Sequence, residues 1–151
     1  MWVRPGIALD GAGTIPNSDF TSLAVMQLES EIIAIKTIQV GESVGYGNTW
    51  VAQRKSIIGV VAIGYGDGYP RHAKTGTPVI INGQRFPLVG RVSMDMITVD
   101  LTDMSSQANI GDSAILWGQE LSVDEIASFS GTIGYELLCG ITQRVPMIEV
   151  Q

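Results

Sequence analysis

The sequence is short of the residues that most metal and nucleophile chemistry needs. It has one cysteine, Cys139, and one histidine, His72, in 151 residues. A lone cysteine excludes an internal disulfide framework, and with no leader-like opening segment it points to a reducing cytoplasm. One Cys and one His are too few for a zinc site, so no metal is expected and His72 is expected in solvent. Basic residues are also scarce, nine Lys and Arg against fifteen Asp and Glu, for a net charge of −6. That balance excludes the clustered basic face a nucleic-acid partner requires and otherwise speaks only for solubility. Long apolar runs are missing too. The stretch 57–63 is far short of the ~20 residues that span a bilayer, so no membrane partner is expected.

Helical periodicity is nearly absent, and what replaces it reads as strands. The chain is 45% hydrophobic with 18 glycines, enough for one core built from short strands and tight turns. Apolar or alternating segments occur at 2–9, 22–28, 32–40, 56–63, 78–81, 88–101 and 112–117, and 135–150 also reads as extended. The polar break Glu29-Ser30-Glu31 marks a bulge or bend. Asn82-Gly83 supplies the two positive-φ residues of a type I′ hairpin turn after 78–81. One helix is expected. Ser122-Val123-Asp124-Glu125 has the form of a capping box, Val123, Ile126 and Ala127 share one face, and Gly131 stops it. These features predict a mainly-β domain: a small closed Greek-key-like β-barrel with one short capping helix, compact from about Thr21 onward.

Four stretches can carry chemistry, and each has two readings on its residues alone. Gly64-Tyr65-Gly66-Asp67-Gly68-Tyr69-Pro70-Arg71 is either a glycine-rich surface turn with an Asx contact or a loop that carries Tyr65 into a tight pocket. A tyrosine, with a free pKa near ~10, serves as a base only where positive charge or hydrogen bonds favour its anion. Val89-Gly90-Arg91-Val92-Ser93-Met94-Asp95-Met96 is either an alternating strand with methionines inward or a carboxylate site using Arg91 and a main-chain N–H near Met94. Val3-Arg4-Pro5-Gly6-Ile7 is either a strand end or a backbone phosphate cradle. Ile133-Gly134-Tyr135-Glu136 places a tyrosine where core or interface aromatics are common.

Taken together and in this order, with Val44-Gly45-Tyr46-Gly47-Asn48-Thr49-Trp50 and Tyr135-Glu136-Leu137-Leu138, these stretches resemble the alanine racemase family along essentially the whole chain. The resemblance implies that residues 1–11 are the remnant of the last strand of a (β/α)₈ barrel and its junction. It implies that 12–151 are the C-terminal β-barrel domain. Asp10 stands where the family usually has tyrosine, at the junction and away from the catalytic set. Related decarboxylases with a similar β-domain lack this tyrosine loop, and Cys139 sits in no motif of theirs.

The implied activity is the interconversion of L- and D-alanine with pyridoxal 5′-phosphate, which supplies D-alanine for peptidoglycan. Tyr65 matches the base for L-alanine. Met94, Arg91 and Ile133 match substrate-binding positions. Arg4, Gly6, Ile7 and Tyr135 match cofactor-binding positions. The implied partners are alanine, the barrel domains of its own and a second subunit, and a homodimeric enzyme. Lys36, Lys55 and Lys74 match no cofactor lysine. The chain alone is therefore expected to be inactive and to hold no covalent cofactor, and residues 1–16 are expected to stand apart from the barrel.

Overall fold

A computed structural model describes Gly6, residues 23–104 and residues 106–149. The strands are β1 (Leu28–Ile38), β2 (Ser43–Val44), β3 (Trp50–Val51), β4 (Ser56–Val61), β5 (Pro78–Ile81), β6 (Gln84–Pro87), β7 (Ile97–Asp100) and β8 (Ser113–Trp117). Two helices follow, α1 (Val123–Ser130) and α2 (Gly134–Gly140). Six strands form one antiparallel sheet in the order β6-β5-β8-β1-β4-β7, and β2 and β3 make a separate ribbon. The sheet comes nearly full circle. Leu88, just past β6, bridges to Val99 of β7, and Val89 N–H donates to the Thr98 carbonyl at 2.9 Å. Near-closure leaves little free edge for unwanted pairing.

The longest strand makes this curvature possible. The first part of β1 pairs with β8 and the rest with β4, with register shifts between Leu28 and Glu29 and between Ile32 and Ala34. These irregularities bracket the polar Glu29-Ser30-Glu31 break, and bulges of this kind bend a strand and increase its twist. Inward residues of successive strands fill the interior: Leu28, Ile32, Val61, Val79, Ile81, Phe86, Leu88, Ile97, Val99, Leu116 and Trp117. Each fully buried aliphatic side chain contributes about 1.5–3 kcal/mol. Trp117 stacks on Tyr69, with centroids 6.2 Å apart.

The hairpin turn is as expected, with Asn82 at φ 50° and Gly83 at φ 74°. So is α1. The Ser122 side chain caps it through Asp124 N–H, Gly131 ends it in the left-handed conformation, and Val123, Ile126 and Ala127 are buried. Glu125, expected to complete a capping box, instead pairs with Arg85 of β6 at 2.7 Å and ties the helix to the barrel.

Three expectations need correction. The segment 135–150 is not extended at its start, because α2 occupies Gly134–Gly140, so the barrel carries two short helices rather than one. Gly134 permits their packing, since a Cβ there would lie 2.3 Å from Asp124 Oδ1 and 3.1 Å from Val123 Cγ1. Strand structure begins at Leu28 rather than at residue 22, and only Ile97–Asp100 of the segment 88–101 is a named strand. Apart from Gly6, the expectations for residues 1–16 fall outside the described residues. No helix among the described residues is long and apolar enough to cross a membrane.

Candidate functional site

The apolar strand β4 leads into Gly64-Tyr65-Gly66-Asp67-Gly68, which folds back on the turn that precedes β7. Tyr65 N–H donates to the Ser93 carbonyl at 3.0 Å and Gly66 N–H to the Met94 carbonyl at 2.9 Å. Only glycine tolerates this approach at position 64. A Cβ there would meet Ser93 O at 2.3 Å and Met94 O at 2.4 Å. Asp67 Oδ2 accepts from Gly64 N–H, three residues back, at 2.9 Å and closes the loop. Tyr65 thus stands on a glycine-rich turn closed by Asp67, as the first reading expected, and is 44% exposed rather than enclosed in a tight pocket.

Tyr65 is partly exposed, with the Arg71 guanidinium carbon 6.0 Å from its ring centre. The Met94 turn is closed by Ser93, whose N–H and hydroxyl both reach the Met96 carbonyl, at 3.1 and 2.8 Å. Met94 N–H donates to no acceptor among the described residues. Arg91 lies on the neighbouring loop. Its side chain runs beside Gly47, where a Cβ would be 3.6 Å from Nη1, and its main-chain nitrogen packs against Gly45. The 44–50 segment thus belongs to the same cluster.

Ile133 and Tyr135 are exposed at the start of α2. Gly6 stands beside this helix at φ +57°, and a Cβ on it would be 3.8 Å from Tyr135 Cε2 and 4.0 Å from Tyr135 Oη. Two of the expected cofactor-binding residues therefore meet, while Arg4 and Ile7 lie outside the described residues. His72 is exposed, as expected. No group of three or more His, Cys, Asp or Glu side chains among the described residues is arranged to hold a metal.

Sequence reasoning missed Arg144. Its Nε lies 3.1 Å from Asp67 Oδ1 and its Nη2 2.6 Å from Asp95 Oδ1. The hydrogen bond to Asp95 and then the charge of Asp67 raise the guanidinium's pKa above its ordinary value.

Fold and site together define an antiparallel β-barrel domain that presents a glycine-framed tyrosine next to a turn with a free main-chain donor. Residues 25–149 match the family described as alanine racemase, C-terminal domain, and the chain belongs to that family. It is 54% identical over 149 residues to the alanine racemase of Vibrio cholerae serotype O1, covering 97% of this chain and 41% of that protein. It is similar to the crystal structure of the biosynthetic alanine racemase of Pseudomonas aeruginosa, at 51% identity and a TM-score of 0.89, over 96% of this chain and 41% of the other. An alanine racemase of Bartonella henselae, solved with covalently bound pyridoxal phosphate, matches at 31% identity and a TM-score of 0.89, over 95% and 40%. The chain thus spans about 41% of the length of curated relatives.

Proposed function

We propose that this chain forms the C-terminal domain of a homodimeric, cytoplasmic alanine racemase and contributes the tyrosine that exchanges a proton with alanine. The observation that carries the reading is the junction of the Tyr65 loop with the Met94 turn. It ties the loop that carries the Tyr65 phenol to the turn that carries the Met94 N–H through two main-chain hydrogen bonds of 3.0 and 2.9 Å. Racemisation removes a proton from one face of the α-carbon and returns one to the other. Two opposed acid–base groups serve this, Tyr65 Oη on the L face and a lysine of the barrel domain on the D face. Met94 N–H holds the substrate carboxylate, while Arg91 and Ile133 line the approach. Tyr65 and Met94 serve the partner subunit's barrel, and Arg4 and Tyr135 serve their own, as in a two-fold dimer with reciprocal contacts.

The residues at Gly6 fit a pyridoxal phosphate. A positive-φ glycine beside the Tyr135 phenol supports a phosphate contact there. Gly6, Ile7 and Tyr135 would hold the phosphate, and Arg4 would face the pyridine nitrogen. The bound cofactor supplies the electron sink that makes an α-proton removable.

The test is Tyr65→Phe in the full-length enzyme, with deuterium incorporation into L- and D-alanine followed separately. Racemisation should fall roughly 10²–10⁴-fold in both directions. Exchange into D-alanine should persist, because the lysine still deprotonates it, and exchange into L-alanine should nearly vanish. Equal retention for the two enantiomers would remove Tyr65 from the L face. A reading frame without some 200 or more upstream residues forming a barrel would instead favour a free-standing, non-catalytic β-module.

A further inference from the structure

Arg144 lies outside the residues that the family resemblance assigns, yet it touches both loops that carry the site. One nitrogen reaches Asp67 in the Tyr65 loop and another reaches Asp95, the residue after Met94. The guanidinium packs against Gly66, where a Cβ would be 2.3 Å from Nη1. Thr142 reinforces the contact. Its N–H donates to the Asp67 carbonyl at 3.1 Å and its hydroxyl to the Gly66 carbonyl at 2.9 Å. The Tyr65 loop is therefore gripped from both sides, by the main chain of residues 93–94 and by the segment 142–144.

We propose that Arg144 is a positioning residue that sets the separation of the Tyr65 phenol and the Met94 N–H by bridging Asp67 and Asp95. The inference rests on the racemase reading above. A planar guanidinium presents several donors in a rigid fork and holds two carboxylates at a fixed spacing, which the point charge of a lysine cannot do. Without it, Asp67 and Asp95 repel each other and force the two loops apart. Asp67 feels this most, because its side chain is only 14% exposed while Asp95 is 56% exposed. The α-carbon must meet Tyr65 Oη while its carboxylate rests on Met94 N–H, so the spacing of these two groups decides whether the bound substrate is in reach of the base.

The experiment compares Arg144→Gln, Arg144→Lys and Asp95→Asn with Tyr65→Phe in the full-length enzyme. It measures solvent exchange of the α-hydrogen for each enantiomer together with thermal stability. Arg144→Gln should lower L-alanine exchange about 10–100-fold, the scale of a misplacement near 1 Å. D-alanine exchange, driven from the other face, should fall several-fold less. Arg144→Lys should restore only part of the loss. Asp95→Asn removes the exposed arm of the bridge, so it should give the same enantiomer preference in milder form and carries the test if Arg144→Gln does not fold. Equal loss of both exchanges, or no change in either variant, overturns the proposal. If Tyr65→Phe still separates the enantiomers, only the role of Arg144 falls. If Tyr65→Phe does not separate them, the racemase assignment itself fails.

Discussion

A single methyl group at Gly64 tests the site more sharply than removal of any functional side chain. Gly64→Ala leaves every proposed contact group in place and changes only how closely two main chains approach. The added Cβ would stand 2.3 Å from Ser93 O and 2.4 Å from Met94 O, where ordinary contact begins at 3.4 Å. Both obstacles are backbone atoms that cannot rotate away, so the loops must part by about 1 Å. That movement breaks the 3.0 Å bond from Tyr65 N–H and the 2.9 Å bond from Gly66 N–H. At a net ~0.5–1.5 kcal/mol per hydrogen bond, the loss is about 1–3 kcal/mol of stability. For a domain of this size that lowers the melting temperature by about 3–10 °C. The same displacement moves Tyr65 relative to the Met94 N–H and should lower kcat about 100-fold. Both directions should suffer under the proposed role of Tyr65 as base in one and acid in the other.

The control is Gly83→Ala in the distal hairpin. A Cβ at Gly83 would have nothing within 4 Å, but the residue holds φ +74°. The left-handed conformation should cost an alanine ~1–2 kcal/mol, with kcat unchanged. The assay pairs thermal denaturation with steady-state racemisation for both variants. Gly64→Ala at parental kcat would refute the reasoning. So would a fall in kcat for Gly83→Ala equal to that for Gly64→Ala, which would mean that activity follows stability rather than loop spacing.

Burial pushes the Tyr69 phenol well above the ordinary tyrosine value. A raised folded-state pKa stabilises fully below the unfolded value of ~10, and that contribution is lost as pH climbs above it. Melting temperature should therefore decline above about pH 10, and Tyr69→Phe should flatten the decline in a pH series of melting curves. Because the Tyr69 hydroxyl has no partner among the described residues, the same substitution should leave stability at pH 7 unchanged or higher. Ser122→Ala removes the side chain that accepts Asp124 N–H at 3.2 Å and should cost about 1 kcal/mol in chemical denaturation.

Elements with local chemistry were legible in the sequence. The Asn82-Gly83 turn, the Ser122 cap and the Gly131 stop act through their own residues, and they occur where their chemistry puts them. α2 was not legible. It has seven residues and no side-chain cap at Ile133, and only Gly134 and Leu137 are buried, which is too little to show a helical period. One local signal was available in Thr132, whose hydroxyl bonds the Glu136 carboxylate across the helix start. The segment around Met94 misled for the opposite reason. The expected strand with methionines inward does not form: Val92 is buried but Met94 and Met96 are exposed, because Ser93 folds the chain into a turn there. Arg144 could not be found by spacing, since its partners Asp67 and Asp95 come from loops far away in the chain.

The pattern of exposure around the site fits the proposed role of this domain as one half of a shared site. Each presenting segment is pinned by buried residues. Ile63 and Tyr69 flank Tyr65, Val92 and Ile97 flank Met94, and Gly134 and Leu137 flank Tyr135. Between these anchors the side chains of Tyr65, Met94, Met96, Ile133 and Tyr135 stand out into solvent. Floppy loops would not need such anchors, and a free-standing surface would not normally spend its large apolar side chains this way. Exposed apolar and phenolic groups held between buried anchors suit the proposed half-site, whose other half would come from a barrel domain. Glycines at 64 and 66, the Asp67 contact and the Arg144 bridge all hold the Tyr65 loop against the Met94 turn while Tyr65 itself stays exposed.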